Sequence, residues 1–267
     1  MYKKFLKLII PKPFIKIINI ILNRNIRFVG CYKKWKYAAK NSTGYSDKII
    51  FNKTKKSFLK VISNKAKYER DSVLFYSENI NYPFINILSK IQSKHKSCLK
   101  VLDFGGSFGS TYFQNYSILG NKDKFHWAII EQKNIVNFFK NLKLKKNIFF
   151  FSSINNYIKK YEPDVVLFSN VIQYLEFPNK VINYFIKKKV KNIIFLKTSF
   201  TTSNEMIKIQ IVPKNIYNAS YPIRIFNEKN FLKLFKNNNY RIVSTPLKNE
   251  IIDCITLKNY LFEYKSK

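Results

Sequence analysis

Short apolar runs alternate with segments of helical periodicity from about residue 79 onward. Apolar residues recur every three or four positions in the segments between the runs, which predicts helices. Strands that alternate with helices form βαβ units, so the pattern predicts an α/β fold with a mostly parallel seven-stranded sheet flanked by helices. The predicted strands cover residues 98–103, 125–130, 148–151, 164–168, 192–196, 241–244 and 251–256.

The most informative segment follows the first predicted strand. Asp103 closes an apolar run, and Gly105, Gly106 and Gly109 then fall within five residues before a helical pattern begins. Glycines let a backbone approach a ligand closely, and a helix that begins after them offers unpaired N–H groups. The segment therefore predicts a nucleotide-type cofactor site at the carboxyl edge of the sheet.

Two common glycine motifs do not fit this segment. A phosphate-binding P-loop ends in Gly-Lys-Ser/Thr, whereas Gly109 is followed by Ser110 and Thr111. The dinucleotide motif G-x-G-x-x-G would require glycine at the positions of Ser107 and Ser110. The segment fits the pattern Asp-x-Gly-x-(Gly/Ser)-x-Gly, formed by Asp103, Gly105, Ser107 and Gly109.

Polar residues also follow the second, third and fourth predicted strands. The carboxyl ends of parallel strands meet at one edge of a sheet, so these residues should share a crevice with the glycine loop. Glu131 lies 22 residues after Gly109, where an acid can accept hydrogen bonds from both ribose hydroxyls of an adenosyl ligand. The alternative is that Glu131 is a surface carboxylate at a strand end. The predicted cofactor contacts here are Glu131, Gln132, Ser152, Ser153, Ser169 and Asn170.

The glycine pattern resembles the first motif of class I S-adenosylmethionine (SAM)-dependent methyltransferases. Five segments in order resemble one family of such enzymes, encoded among bacterial surface-polysaccharide and O-antigen genes. The resemblance implies a Rossmann-like class I methyltransferase fold, SAM as cofactor, and transfer of a methyl group to a sugar or glycan precursor. Ser107 departs from the glycine that the superfamily favours. The five segments are 68–73, 102–109, 127–132, 169–175 and 210–222.

The chain divides into three predicted regions. Residues 1–30 form a basic amphipathic segment, and residues 31–95 form a helical region that covers the site. Residues 96–260 form the methyltransferase domain, in which residues 198–226 are an insertion that caps the substrate.

Candidate catalytic residues come from the segments that can fold over the crevice. A sugar hydroxyl needs a general base, and Glu69 or Asp71 is placed to serve as one. Arg70 suits a carboxylate or phosphate of the acceptor, and Tyr217 and Tyr221 suit stacking on a sugar face. The alternative for the Glu-Arg-Asp run is an ion pair on a helix surface, worth under about 1 kcal/mol.

The histidines and cysteines offer no second site. His95 and His126 lie at the starts of strands, so they should sit at the sheet edge opposite the crevice. Cys31, Cys98 and Cys254 are isolated and lack the spacing of a zinc site or a disulfide framework. We expect no metal and a reducing, cytoplasmic compartment.

The formal net charge of +34 leaves three explanations open. Lys, Asn, Ile, Phe and Tyr are over-used together, as an A+T-rich genome would produce. A membrane surface is the second explanation: residues 1–22 have no run long enough to span a bilayer but suit the interface of a cytoplasmic membrane, or else pack on the domain. The third is nucleic acid.

The nucleic-acid explanation is weakened by the sequence after the fourth strand. Enzymes that methylate base amines place an Asx/Ser-Pro-Pro-aromatic motif there, whereas this chain has Ser169, Asn170, Val171 and Ile172. A small-molecule or glycan acceptor is therefore preferred. RNA ribose methylation, or a non-catalytic scaffold at a membrane, remains an alternative.

Overall fold

The computed structural model describes residues 26–44, 48–142, 144, 147–213, 216, 218–243, 245–252 and 255–265. The predictions made for residues 1–22, Tyr217 and Cys254 lie outside these described residues. In the described part of the chain, no helix is both long and apolar enough to cross a bilayer.

Helices and strands alternate through most of the chain. The helices are α1 (Trp35–Lys40), α2 (Lys48–Ile62), α3 (Tyr82–Gln92), α4 (Ser110–Gln114), α5 (Tyr116–Leu119), α6 (Lys133–Leu142), α7 (Ile154–Ile158), α8 (Pro178–Lys187) and α9 (Glu228–Lys236), with a 3-10 helix at Ile172–Tyr174. The strands are β1 (Arg27–Tyr32), β2 (Tyr68–Arg70), β3 (Val73–Phe75), β4 (Leu99–Phe104), β5 (Phe125–Ile130), β6 (Ile148–Phe151), β7 (Val165–Ser169), β8 (Asn192–Thr201), β9 (Met206–Ile211), β10 (Ser220–Asn227), β11 (Tyr240–Val243), β12 (Glu250–Ile252) and β13 (Ile255–Tyr264).

The central sheet has the strand order β6–β5–β4–β7–β8–β13–β11. From β6 to β8 every neighbouring pair is parallel. β13 runs antiparallel to β8, and β11 runs antiparallel to β13, so β11 has the direction of the first five strands. The predicted mostly parallel, Rossmann-like sheet flanked by helices is confirmed.

The sheet core has two apolar faces, because successive residues of a strand point to opposite sides. Val101 and Ile194 pack on the side covered by α2, α3, α4 and α6. Leu102 and Phe195 pack on the side covered by α7, α8 and α9. Both faces of the sheet are therefore covered, as a largely parallel sheet requires.

A smaller antiparallel unit extends the sheet beyond the carboxyl end of β8. β8 continues past the predicted end at residue 196 to Thr201, where Phe200 pairs in parallel with Phe226 of β10. β9 runs antiparallel to β10, and β1 runs antiparallel to β9. The predicted insertion at 198–226 is thus largely strand, and it pairs with a strand from the start of the described chain. The domain boundaries themselves stay a prediction.

Two segments differ from the predicted elements. Residues 68–75, within the predicted helical region, form the hairpin β2–β3. The single strand predicted at 251–256 is divided between two antiparallel strands, because residues 251–252 end β12 and residues 255–256 begin the long strand β13. Polar Lys258 and Asn259 interrupt the apolar pattern of β13 and hide it, and they lie at an irregularity in its pairing with β8. Asn259 Oδ1 accepts a hydrogen bond from Lys197 N there, at 2.9 Å.

Phe195 gives a direct test of the core on the α8–α9 side. Its ring is fully buried and contacts the rings of Phe168 and Phe231 at centroid distances of 4.9 and 5.0 Å. We expect Phe195→Ala to lower the free energy of unfolding in urea by about 3–5 kcal/mol, because it leaves a cavity. Tyr76→Ala, at a ring that is 70% exposed, is the matched control and should cost under about 1 kcal/mol. Equal losses in both variants would contradict this account of the core.

Candidate active site

The loop after β4 has a backbone that favours glycine at two positions. Gly105 has φ +70° and Gly109 has φ +87°. A Cβ added at Gly105 would lie 2.3 Å from Val171 Cγ2, and one added at Gly106 would lie 2.5 Å from Asp103 Oδ2. The loop therefore lies flat against the carboxyl ends of β4 and β7, with no room for side chains.

Asp103 is a buried carboxylate without a hydrogen-bond partner. It lies near the end of β4, is fully buried, and neither of its oxygens has a partner among the described residues. Burial raises the pKa of Asp103 to about 7, and the Trp127 indole on β5 opposes that shift. A buried polar atom without a partner costs free energy, so this carboxylate is retained at a cost in stability.

Glu131 joins the second strand end to the glycine loop. Its Oε1 accepts a hydrogen bond from Ser107 N at 3.1 Å, and its Oε2 accepts one from Gln132 N at 2.7 Å. Gly105 N also donates to Ile130 O at 2.9 Å. Burial raises the pKa of Glu131, while both backbone donors lower it. The acid predicted from spacing alone thus lies in direct contact with the loop, and the side chain of Gln132 is exposed.

The polar residues after β6 are arranged by the helix that follows them. Ser153 caps α7, because its Oγ accepts a hydrogen bond from Asn156 N at 3.2 Å. Ser152 Oγ accepts one from Asn156 Nδ2 at 3.0 Å. Both serines follow the carboxyl end of β6, next to β5 in the sheet. They are therefore on the same edge as Glu131, and their part in ligand binding stays a prediction.

The polar residues after β7 are held by a glutamine that the sequence did not single out. Ser169 ends β7, and Asn170 has φ +53°. Gln173 is fully buried in the 3-10 helix, and its Nε2 donates to Asn170 Oδ1 at 2.7 Å and to Lys197 O at 3.0 Å. Gln173 therefore fixes the ends of β7 and β8 together. The only sequence signal for this contact is the spacing of three residues between Asn170 and Gln173, which fits one turn of a 3-10 helix.

Glu69 lies in the hairpin β2–β3, against the glycine loop. It is 2% exposed, its Oε1 accepts a hydrogen bond from Ser110 Oγ at 2.9 Å, and its Oε2 accepts one from Ser72 N at 3.1 Å. Burial raises the pKa of Glu69 to about 7, against the effect of both donors. Ser110 is the first residue of α4, so Glu69 ties the hairpin to the end of the loop.

Asp71 and Arg70 occupy the tip of the same hairpin. Asp71 and Ser72 both have positive φ, at 50° and 66°, as in a tight hairpin turn. Asp71 is exposed at the turn. Desolvation by the neighbouring chain raises the pKa of Asp71, while the charges of Arg70 and Lys197 lower it. Arg70 Nη2 donates to Gln114 Oε1 at 2.6 Å. The hairpin tip therefore lies near Lys197 of β8.

Tyr221 lies inside the smaller antiparallel unit. Its ring is 6% exposed and packs edge-on against Tyr174 at 5.3 Å. Gln210 Nε2 donates to the Tyr221 hydroxyl at 3.2 Å, and the Tyr174 hydroxyl donates to Gln210 Oε1 at 2.8 Å. Ile50 of α2 packs in the same cluster. This burial leaves little ring face for a sugar, and the stacking role stays a prediction.

The two histidines lie at the opposite edge of the sheet. His126 opens β5, and its ring stacks on Phe149 at 4.5 Å; burial lowers its pKa. His95 precedes β4, with its Nδ1 3.8 Å from Asp164 Oδ1. Among the described residues, no three His, Cys, Asp or Glu side chains are grouped as metal ligands. The polar groups that face the crevice are thus carboxylates, serine and amide side chains, and loop N–H groups.

Comparisons with known proteins add a set of similar structures. No family model matches the chain, and no curated protein matches it. A SAM-dependent methyltransferase from Clostridium acetobutylicum is 13% identical, with 81% of this chain and 99% of that chain covered and a TM-score of 0.46. The N-terminal domain of EvdMO1, crystallised in the presence of S-adenosylhomocysteine and D-fucose, is 9% identical, with 81% and 97% covered and a TM-score of 0.47.

A third similar structure is a SAM-dependent methyltransferase from Methanosarcina mazei. It is 10% identical, with 70% of this chain and 99% of that chain covered and a TM-score of 0.47.

The raised pKa of Glu69 predicts a pH dependence of stability. A carboxyl group with a raised pKa in the folded state stabilises the fold fully below its unfolded pKa and loses that stability as pH rises through the folded value, here about 7. Glu69→Gln keeps an acceptor but cannot ionise. We expect its unfolding free energy in urea to fall less between about pH 5 and pH 8 than that of the wild type, by on the order of 2–3 kcal/mol.

Glu162→Gln is the matched control, because Glu162 is exposed and distant in sequence from the crevice. It should keep the pH dependence of the wild type, including the part due to Asp103, whose pKa is raised in the same direction. A Glu69→Gln variant with the wild-type slope would show that Glu69 is not the titrating group.

Proposed function

We propose that this chain is a SAM-dependent methyltransferase that acts on a sugar or glycan precursor. The observation that carries the proposal is the contact between Glu131 and the glycine loop, through the 3.1 Å hydrogen bond from Ser107 N. It joins the two parts of a nucleoside site, a flat loop and a strand-end acid, in one crevice. Strand-end crevices of this kind bind nucleotide-type ligands in open α/β sheets.

The residues present fit SAM in three respects. The Asp103 carboxylate lies directly against Gly106 of the loop, so its charge favours the ammonium group of SAM. Glu131 uses one lone pair on each oxygen for backbone donors, so a second pair on each is free for the two ribose hydroxyls. Gly105 and Gly106 carry no side chains, so the amino-acid part of the ligand can approach the backbone of the loop. Ser152 and Ser153 would then contact the adenine.

The charge at the crevice supports a cationic cofactor. Four of the 15 acidic residues lie around it, namely Glu69, Asp71, Asp103 and Glu131, against two bases, Arg70 and Lys197, in a chain whose net charge is +34. Carboxylates attract the sulfonium and ammonium groups of SAM and repel phosphates. The same local charge argues against a nucleic-acid backbone at this site.

SAM, when bound, supplies a methyl group already activated by the sulfonium. The chain's own residues then have to orient the acceptor, exclude water and take up a proton. We assign the proton to Asp71, because its carboxylate is accessible at the hairpin tip and its pKa is raised. Glu69 is buried against Ser110 and positions the hairpin. Arg70, held by Gln114, would orient an acidic group of the acceptor.

The acceptor class and the cellular setting follow from the resemblance to the polysaccharide-associated family. A sugar hydroxyl requires a general base, and the hairpin offers one. We place the reaction in the cytoplasm, with residues 1–22 as a peripheral contact at the inner face of the membrane. Residues 31–95 and 198–226 would cover the acceptor, and the catalytic domain would span residues 96–260.

The direct test is a radiolabelled methyl-transfer screen with the full chain. Nucleotide sugars, lipid-linked glycans and RNA are offered separately, each with labelled SAM. Label in a sugar acceptor supports the proposal. Label in RNA would identify RNA as the acceptor and overturn the glycan assignment. Calorimetry with SAM at millimolar concentration decides the remaining case, because no binding at all would leave a non-catalytic scaffold.

Glu131→Ala tests the cofactor site. Loss of a charge-assisted contact to the ribose should weaken SAM binding by about tenfold or more, measured by calorimetry. Glu162→Ala removes an exposed carboxylate elsewhere and should leave the dissociation constant unchanged. Unchanged affinity in Glu131→Ala, with wild-type thermal stability, would refute the assignment of this residue.

A further inference from the structure

A cavity of about 170 Å³ lies between the start of α8 and strand β10. None of its lining residues belongs to the glycine loop or to the strand-end residues assigned to the cofactor. It opens where the segment after the 3-10 helix meets the smaller antiparallel unit. Its walls include Glu176, Phe177, Asn179, Lys180, Glu205 and Arg224.

Arg224 forms a fixed wall of this cavity. Its Nη1 donates to Glu205 Oε1 at 2.6 Å, and its Nη2 donates to Glu176 O at 3.1 Å. Trp35 of α1 lies with its ring centroid 5.7 Å from the guanidinium carbon. Nε of Arg224 is buried and has no partner among the described residues. The guanidinium is therefore held in place by Glu205 and by the backbone at Glu176.

Phe177 supplies an aromatic surface on the opposite wall. Its side chain is 56% exposed, although most phenylalanines of this chain are in the core. Lys180 Nζ lies 4.5 Å from the ring centroid. The neighbouring residue Asn179 is exposed and adds an amide with both donors and an acceptor. An exposed ring beside planar polar groups can bind a ligand that has both apolar faces and hydroxyl groups.

The charge of the cavity distinguishes between ligand classes. Two acids, Glu176 and Glu205, balance two bases, Lys180 and Arg224, so the lining is neutral in a chain of net charge +34. The positive charge of Arg224 is already paired with Glu205. A phosphate would meet two carboxylates, and Lys180 is the one lining cation among the described residues that is not paired with one of them. A neutral sugar ring suits this lining, because its C–H face packs on an aromatic ring and its hydroxyls pair with carboxylate and amide groups.

The cavity lies on the same edge of the sheet as the cofactor crevice. Glu176 and Phe177 follow the carboxyl end of β7 through the 3-10 helix, and Glu205 follows the carboxyl end of β8. Ser199 Oγ donates to Arg224 O at 2.6 Å, so β10 is fixed against β8 next to the residues that hold Gln173. One extended acceptor could therefore reach both places.

We propose that this cavity is a subsite for a neutral pyranose ring of the acceptor, one that is bound but not methylated. The assignment of that ring to an acceptor rests on the proposed methyltransferase function. The ring stacks on Phe177, and its hydroxyls bind Asn179 and Glu205. This subsite would select oligosaccharide acceptors over single sugars.

Saturation-transfer difference NMR on the full chain tests the subsite. The probes are methyl α-D-glucopyranoside, methyl α-D-galactopyranoside, methyl α-D-mannopyranoside and N-acetyl-D-glucosamine, each with and without S-adenosylhomocysteine. We expect transfer to at least one of them, reduced about fivefold or more in Phe177→Ala and in Asn179→Ala. Tyr82→Ala, at a ring that is 61% exposed on α3, is the matched control and should bind as the wild type does.

The outcomes separate the subsite from the proposed function. Sugar binding that depends on Phe177, in a chain that does not bind SAM, would keep the sugar site and overturn the methyltransferase. SAM binding without transfer to any of the four sugars would overturn the subsite alone. Binding of pyrophosphate that Phe177→Ala or Asn179→Ala abolishes, without sugar binding, would also overturn it. Thermal unfolding of each variant identifies any loss of fold.

Discussion

Parallel pairing of β4 with both β5 and β7 is the constraint on which the rest of the structure depends. It brings the carboxyl ends of β4, β5 and β7 together at one edge, and the pairing of β5 with β6 adds a fourth. The backbone beyond β4 then has to turn beside two neighbouring strand ends, and a side chain at Gly105 or Gly106 would collide with Val171 or Asp103. The polar residues that follow these strands therefore lie at the same edge of the sheet. The crevice is therefore a consequence of strand order, and its chemistry depends on which side chains end the strands.

Those side chains create an electrostatic environment unlike the rest of the molecule. The chain is strongly basic, yet the crevice collects buried carboxylates whose pKa values are raised because they lack solvent. Asp103 has no donor, whereas Glu69 and Glu131 accept hydrogen bonds from the loop and from α4. Retaining such groups costs stability. That cost is reasonable if a cationic ligand offsets it when it binds.

The central sheet and the cofactor crevice could be predicted from local pattern, because buried parallel strands are short apolar runs and strand ends follow from them. β5 and β6 match their predicted bounds. The prediction did not extend to the full length of β13, because Lys258 and Asn259 interrupt its apolar run. It also missed the hairpin that carries Glu69, because each of its strands has only three residues. Gln173, Gln210 and Arg224 could not be found from sequence. Each acts through a contact with a residue distant in the chain or through a 3-10 turn, and neither leaves a periodic signal.

The pairing of β1 with β9 has a consequence for how an acceptor would reach the protein. The described chain begins at residue 26, directly before β1, and the helix after β1 supplies the Trp35 ring beside Arg224. If residues 1–22 lie on a bilayer, their attachment point is therefore part of the same structural unit as the pyranose cavity. The protein and a lipid-linked acceptor would then diffuse in the same plane, which raises the effective concentration of the acceptor. Weak binding of each sugar ring would then be enough to hold the acceptor at the site.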